Sequence, residues 1–298
     1  MSRENVEKLL MTSITDGDLS IAQIAQILTF RLFGNRDGFL LLAGLPIGAV
    51  PPTPASRESM YKNNHQSERL LLQATALLGD PIGYTQESNG HLVNNFFPHR
   101  SRAKAASSDS FDTELDLHTE NAFHPVQPDF LALLCLRQDP LAEAVTYISS
   151  VSRVLDHLTG EEIEFLFEEP YNFLSDYSST DKNRREDLGR WLPVLYGDRD
   201  APFFRFDPQF MVERNGEAQR LMRRLREIAW AVARPVQLRA GELLIIDNRK
   251  TAHARSPFTA HFDGNDRWIQ RTFAVCNQRH YVEKLGHSSR VYGLMRTL

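Results

Sequence analysis

Residues 114–125 read ELDLHTENAFHP, an alternating run that turns polar at His118-Thr119-Glu120. Residues 114–118 have the period-two spacing of a half-buried strand. In extended chain, residues two apart point to one face. His118 and Glu120 would then offer an imidazole nitrogen and a carboxylate oxygen to the same metal ion. A third ligand must come from elsewhere. Two imidazoles and one carboxylate on one face of an octahedral ion leave three positions open, the arrangement of non-haem Fe(II) oxygenases. With 10 His and 38 Asp plus Glu in the chain, about one His-x-acid pair is expected by chance. Taken alone, the triplet fits a surface His and a solvated Glu at a strand end more readily.

Short strand-like runs lie all around it, at 91–97, 130–137 (FLALLCLR), 144–149, 191–196, 203–206, 236–238, 242–246 and 268–275. Residues 39–45 (FLLLAGL) read as a buried strand. Helical spacing marks 19–32, 67–78 and 215–232, the last being the strongest helix pattern, with shorter pieces near 151–158 and 161–167. This mixture predicts an α+β fold with a substantial β core. No linker rich in Pro, Gly or Ser divides it, so residues 1–298 are expected to form one domain, helical over about 1–80. Residues 174–187 (LSDYSSTDKNRRED) lack an apolar period and are expected to be a long mobile lid.

Composition removes several classes of function. Lys plus Arg is 34 against 38 Asp plus Glu, a net charge of −4, with 42% apolar residues. Those values belong to a globular protein and exclude disorder as its main state. The acidic excess argues against a nucleic-acid binder. The longest apolar stretch, 39–50, is broken by Gly44, Pro46 and Gly48, and is too short to span a bilayer. The N-terminus lacks a signal-peptide core. Two cysteines, Cys135 and Cys276, cannot build a disulfide framework, so a reducing cytoplasm is the expected location. The sequence contains no GxGxxG, GxxxxGK[ST], GxSxG, HExxH or CxxC. Rossmann dehydrogenases, P-loop NTPases, nucleophile-elbow hydrolases and zincins therefore lose support.

Further on, residues 241–248 (GELLIIDN) make an apolar strand ending in a turn. Thr251-Ala252-His253-Ala254-Arg255 follows at once, and then Asp266-Arg267-Trp268-Ile269-Gln270-Arg271. As a strand, 267–273 puts Arg267 and Arg271 on one face, with Ile269 between them and Phe273 beyond. Such a face is expected to point inward. Two buried guanidinium groups are costly without anionic partners, and the sequence shows no obvious acidic pair beside them. Two small-molecule carboxylates, each gripped by a guanidinium fork, would fit.

HTENAFHP (118–125), GELLIIDNRKTAHAR (241–255) and RWIQRTF (267–273) together resemble the clavaminate synthase-like family of Fe(II)/2-oxoglutarate oxygenases. Within it the resemblance is greatest to free amino-acid hydroxylases acting on asparagine, arginine or lysine, and it spans at least residues 83–275. It implies a distorted double-stranded β-helix, a cupin-like jelly-roll, with flanking helices. It implies Fe(II) held by His118, Glu120 and His253, with 2-oxoglutarate as cosubstrate on Arg267 and Thr146, and dioxygen as oxidant. Arg271 would take the α-carboxylate of a free amino acid. The implied reaction releases succinate and carbon dioxide while an unactivated carbon is hydroxylated. Halogenating relatives lack the carboxylate ligand, so Glu120 favours hydroxylation.

The same resemblance directs the choice of substrate residues. Asp207, at the end of YGDRDAPFFRFD (196–207), would approach the substrate's polar end. Extended backbone there puts Phe204 and Phe206 toward the core, with Arg205 and Asp207 on the other face. A carboxylate there suits a cationic side chain or an amide N–H; lysine or arginine is the expected substrate, hydroxylated at C3 or C4. Within 83–98, Gln86 is the first expected contact to the amino group and Glu87 the second. Ser108 and Ser110 would line the pocket or serve as ordinary loop serines. His124 is expected to be a packed or surface residue, and Cys135 a small core residue. One rival reading is an oxygenase of this fold acting on a carrier-bound or peptide residue, or catalysing desaturation or cyclisation; an amide there would leave Arg271 without its partner. A zinc metallohydrolase is another, against which Arg267 and Thr146 argue. The last is a small-molecule binding protein without activity.

Overall fold

The computed structural model describes Lys8 and residues 17–56, 59–103, 110–168, 170–174, 190–285 and 289–293. Ser108 and the expected lid, apart from Leu174, lie outside the described residues. Helix α1 (Ile21–Phe33) starts with a capping box in which the side chains of Ser20 and Gln23 satisfy each other's backbone amides. Strand β1 (Phe39–Leu42) and helix α2 (Gln66–Leu78) follow. Strands β2 (Asp80–Tyr84), β3 (Asn94–Phe96), β4 (Leu115–His118), β5 (Phe130–Arg137) and β6 (Thr146–Ser150) come next. After the single turn α3 (Val151–Val154), helix α4 (Gly160–Phe167) opens on a second capping box, Thr159 with Glu162. Short strands β7 (Tyr171–Phe173), β8 (Arg190–Leu192), β9 (Leu195–Tyr196), β10 (Phe203–Phe204) and β11 (Met211–Glu213) lead to helix α5 (Gly216–Val232). The Asn215 side chain caps α5 by accepting from the amides of Glu217 and Ala218. Strands β12 (Arg234–Val236), β13 (Leu243–Asp247), β14 (Thr251–Arg255) and β15 (Trp268–Val275) precede helix α6 (Gln278–Leu285) and strand β16 (Val291–Tyr292).

Two sheets carry the site. The larger has the order β1-β13-β5-β15-β2-β16, with β3 beside β15. The smaller has the order β12-β6-β14-β4. The period of two in β5 divides its side chains between two cores. Phe130, Ala132, Leu134 and Leu136 pack with Ile27 and Phe30 of α1 and Leu70, Leu71 and Ala74 of α2. Leu131 and Cys135 face the other way and join Leu244, Ile246, Ile269 and Phe273 with Ile148 and Val236 of the smaller sheet. Burial on both faces is why FLALLCLR is a continuous apolar run rather than an alternating one. Each such Leu, Ile or Phe contributes roughly 1.5–3 kcal/mol. The outer face of the smaller sheet, with Leu117, Ala252 and Ala254, packs with Leu221, Leu225 and Ala229 of α5. The structure is thus mixed α+β, as expected. No helix among the described residues is long and apolar enough to cross a membrane.

Candidate active site

A register shift in the smaller sheet aims the first metal-type ligand. His253 pairs with His118 and Arg255 with Leu115, so two steps on β14 span three on β4. A bulge of this kind inverts the alternation of the strand. Leu115 lines the pocket between the sheets, and His118, three residues later, turns to the same side and meets the His253 ring at 4.3 Å between centroids. Asp116 braces the bulge. Its carboxylate accepts from Trp230 Nε1 at 2.8 Å, Arg226 Nε at 2.9 Å and the Leu117 amide at 2.9 Å. Its carbonyl lies 2.9 Å from His118 Nδ1. A carbonyl only accepts, so Nδ1 carries a proton and Nε2 is the nitrogen left to face a metal, the usual support behind a metal-binding imidazole.

Glu120 does not lie in the strand. β4 ends at His118, and Glu120 stands in the turn that follows. Convergence therefore comes from bracing rather than from the same-face rule. Asn248, at the turn after β13, accepts the Glu120 amide at 2.9 Å and donates to the Glu120 carbonyl at 3.1 Å and the Pro128 carbonyl at 2.8 Å. The Thr119 amide donates to the Phe206 carbonyl at 2.6 Å. Thr119 Oγ1 donates to the Thr251 carbonyl and accepts the Phe206 amide, each at 3.1 Å. These bonds fix Glu120 and also bring Asp207, next to Phe206, to the same end of the molecule.

The Nε2 atoms of His118 and His253 each lie 3.5 Å from Oε2 of Glu120. One ligand atom from each residue falls within 4.8 Å of the others. Burial disfavours charge on His118, yet its hydrogen bond to Glu120 and that residue's charge push it up to about 9. Burial and the neighbouring His118 push His253 down to about 4. The buried Nδ1 of His253 has no hydrogen-bond partner. Two imidazole nitrogens and one carboxylate oxygen converging in this way suit Fe(II) as a three-ligand face.

Arg271, on β15, has acidic partners that the sequence reading did not find. Nη1 donates to Glu120 Oε1 at 2.8 Å, and Nη2 pairs with Glu87 Oε2. The guanidinium carbon sits 4.6 Å from the Phe96 ring centroid and 4.3 Å from that of Phe273. The expectation that no acidic pair accompanies the arginines is therefore corrected for Arg271. Its partners come from turns after β2 and β4, far away in sequence. Glu87 also accepts from Asn121 Nδ2 at 3.0 Å. Gln86 is exposed, and its side chain bonds Thr85 Oγ1 at 2.8 Å. Of the two amino-group candidates, Glu87 pairs with Arg271 at the site, and Gln86 is exposed and bonded to its neighbour Thr85.

Arg267 makes no ion pair with a carboxylate among the described residues. With Thr146, Arg271, His253 and Arg255 it lines a pocket between the sheets. Ser110 is buried, and its Oγ accepts from Arg255 Nη2 at 2.8 Å. Asp207 is also buried, near enough for its charge to help raise His118. Phe204 and Phe206 stack in the core at 5.4 Å. His124 is packed, its Nε2 3.0 Å from the Gly293 carbonyl. Asp116, Asn248 and Arg255 were missed by the sequence reading. Asp116 lies two residues before His118, and the buried polar Asn248 closes an apolar strand; those were their signals.

Residues 15–273 match the family described as Taurine catabolism dioxygenase TauD, TfdA family. L-lysine 3-hydroxylase of Catenulispora acidiphila is 34% identical over 258 residues, 85% of this chain and 72% of that protein. A solved structure of asparagine oxygenase with Fe(II), 2S,3S-3-hydroxyasparagine and succinate is similar at TM-score 0.87 and 31% identity, over 98% of this chain and 90% of that one. The non-heme iron oxygenase OrfP with Fe, succinate and (3R,4R)-dihydroxy-L-Arg gives 0.85 at 30% identity, over 96% and 90%. Because the match runs through both sheets and every strand that bears a ligand, the chain belongs to the TauD/TfdA family and is an Fe(II)- and 2-oxoglutarate-dependent dioxygenase.

Proposed function

We propose that this dioxygenase hydroxylates C3 or C4 of a free L-amino acid with a basic side chain, lysine or arginine. The observation that carries the reading is the Arg271–Glu87 pair beside the triad. A guanidinium and a carboxylate, paired with each other, hold the counter-charges of an amino acid's carboxylate and ammonium. An entering zwitterion would exchange that pair for its own two groups and leave every charge compensated. Similarity to a lysine 3-hydroxylase and to a protein solved with a dihydroxylated arginine supports a basic side chain.

His118 Nε2, Glu120 Oε2 and His253 Nε2 would hold Fe(II). When bound, the metal supplies the activation of dioxygen that couples loss of carbon dioxide from 2-oxoglutarate to oxidation of the substrate. Arg267 and Thr146 would anchor the far carboxylate of 2-oxoglutarate. Arg271 and Glu87 would fix the amino acid's α-carbon end, and Asp207 would meet its cationic end, so C3 and C4 are the carbons between the anchors. The two sheets enclosing one pocket support a distorted double-stranded β-helix, and their shared cores support a single domain. Two free thiols are compatible with a cytoplasmic location.

The test is a screen of the twenty amino acids for succinate formation with Fe(II), 2-oxoglutarate and oxygen. Lysine or arginine should give the fastest turnover, and their amides should be inert because Arg271 loses its partner. Asparagine as the best substrate, with both basic amino acids inert, would sink the charge argument.

A further inference from the structure

Arg255 sits two residues after His253 and directly opposite Thr146 in the β14–β6 ladder. It is only 6% exposed. Three contacts pin its guanidinium: Nη2 to Ser110 Oγ at 2.8 Å and to the Thr113 carbonyl at 3.3 Å, and Nη1 to the Ser256 carbonyl at 2.7 Å. Its Nε is buried and has no hydrogen-bond partner. Arg267 shares its surroundings. The two guanidinium carbons lie 5.2 Å and 5.8 Å from the centroid of the same ring, Phe258. Both arginines line the pocket with Thr146, and neither is ion-paired with a described carboxylate.

A buried donor left unmade is costly, and a guanidinium whose only task was to tie strands together gains nothing from leaving one. It would also not be set beside a second cation with no anion between them. The arrangement is relieved by an anion with oxygens enough for two forks.

We propose that Arg255 is a second cationic seat, beside Arg267, for the far carboxylate of 2-oxoglutarate. Nε–H of Arg255 is the donor it offers, and Ser110 holds the guanidinium in place for that bond. The inference rests on the reading that Arg267 faces that carboxylate, and the test separates the two.

2-Oxoglutarate and 2-oxopentanoate, its five-carbon analogue without the far carboxylate, are titrated calorimetrically into Fe(II)-loaded protein under anaerobic conditions. Wild type, Arg255→Gln, Arg255→Lys and Arg267→Gln are compared. Arg255→Gln should lower the preference for 2-oxoglutarate over 2-oxopentanoate by roughly tenfold, the scale of a charge-assisted hydrogen bond. Affinity for the amino acid, titrated at saturating 2-oxoglutarate, should stay within about twofold. Arg255→Lys keeps the charge but loses the fork, so its preference should fall between the two, and it carries the test if the Gln variant does not fold. An unchanged preference in both Arg255 variants, with Arg267→Gln collapsing it, would leave Arg255 a strand brace only. A preference unchanged in Arg267→Gln would overturn the underlying placement of the carboxylate as well.

Discussion

Arg271 donates from Nη1 to Oε1 of Glu120 across 2.8 Å, while Oε2 of the same carboxylate faces the two imidazoles at 3.5 Å. One carboxylate thus faces the two imidazoles with one oxygen and Arg271 with the other. Burial opposes its ionisation, but Arg271 and the two imidazoles hold Glu120 well below the usual carboxylate range. Arg271→Gln should therefore weaken both sides. Amino-acid affinity should fall by about 2–5 kcal/mol, the cost of truncating a buried charge partner. Fe(II) affinity should fall roughly tenfold, as for other groups that support a ligand from behind. Separate titrations of metal and amino acid check this. Wild-type Fe(II) affinity would mean that Glu120 needs no help from Arg271.

Removal of a ligand is the harsher test. His118→Ala and His253→Ala each delete one of three protein donors and should abolish succinate formation while weakening Fe(II) binding. Glu120→Ala should stop hydroxylation as well. Full hydroxylase activity in that variant would assign the carboxylate ligand to another residue.

Asp116→Ala should cost stability and metal affinity together. It leaves Trp230 Nε1 and the Leu117 amide without an acceptor, a loss of about 1–3 kcal/mol for buried donors. Arg226, half exposed, adds little. The bulge that aims His118 loses its brace, so Fe(II) affinity should drop with the unfolding midpoint. Asp116→Asn keeps an acceptor oxygen and should recover most of the stability. A destabilised Asp116→Ala protein that still binds Fe(II) normally would separate the bulge from the metal site.

Long, apolar elements were legible in the sequence. Residues 130–137 and 268–275 are strands with those bounds, and 215–232 and 67–78 are helices to within a residue or two. Several short elements were not. TAHAR, the strand that carries His253, has two alanines and no bulky apolar residue, so nothing local marks it as buried, although all five positions are. β2, β7, β11 and β16 are two to five residues long and take their stability from neighbours. The ligand pair His118-x-Glu120 was visible, but not the reason it converges. A bulge and an asparagine 128 positions away set it, and neither has a local signature. Glu87 ranked below Gln86 for the same reason, since only tertiary structure decides which of two adjacent polar side chains turns inward.

Arg267→Lys replaces a planar fork with a point charge, so one of two parallel hydrogen bonds to a carboxylate is lost. Affinity for 2-oxoglutarate should fall roughly tenfold or more, about 1.4 kcal/mol. Affinity for the amino acid should change less. Damage mainly to amino-acid binding would require the roles of Arg267 and Arg271 to be exchanged.

Asp207 is the residue that the proposed reading charges with selecting the side chain. It is buried, its backbone is held by the Asp207–Phe210 turn, and its charge, like that of Glu120, raises His118. A buried carboxylate is costly to keep ionised, and a cation brought by the substrate lowers that cost. Lysine or arginine, anchored by Arg271 and Glu87 at the α-carbon, would bring that cation at the far end of the side chain. Asp207→Asn preserves the volume and removes the charge. It should weaken basic substrates by about 2–5 kcal/mol, the usual cost of breaking a buried charge pair. Binding of 2-oxoglutarate, which the proposal puts at the Arg267 end of the pocket, should be nearly unchanged. Neutral amino acids, which gain nothing from the carboxylate, should bind the variant as they bind the wild type. Direct titration of lysine, arginine and asparagine into both proteins reads all three effects. Equal loss for lysine and asparagine would show that Asp207 shapes the pocket rather than selecting charge.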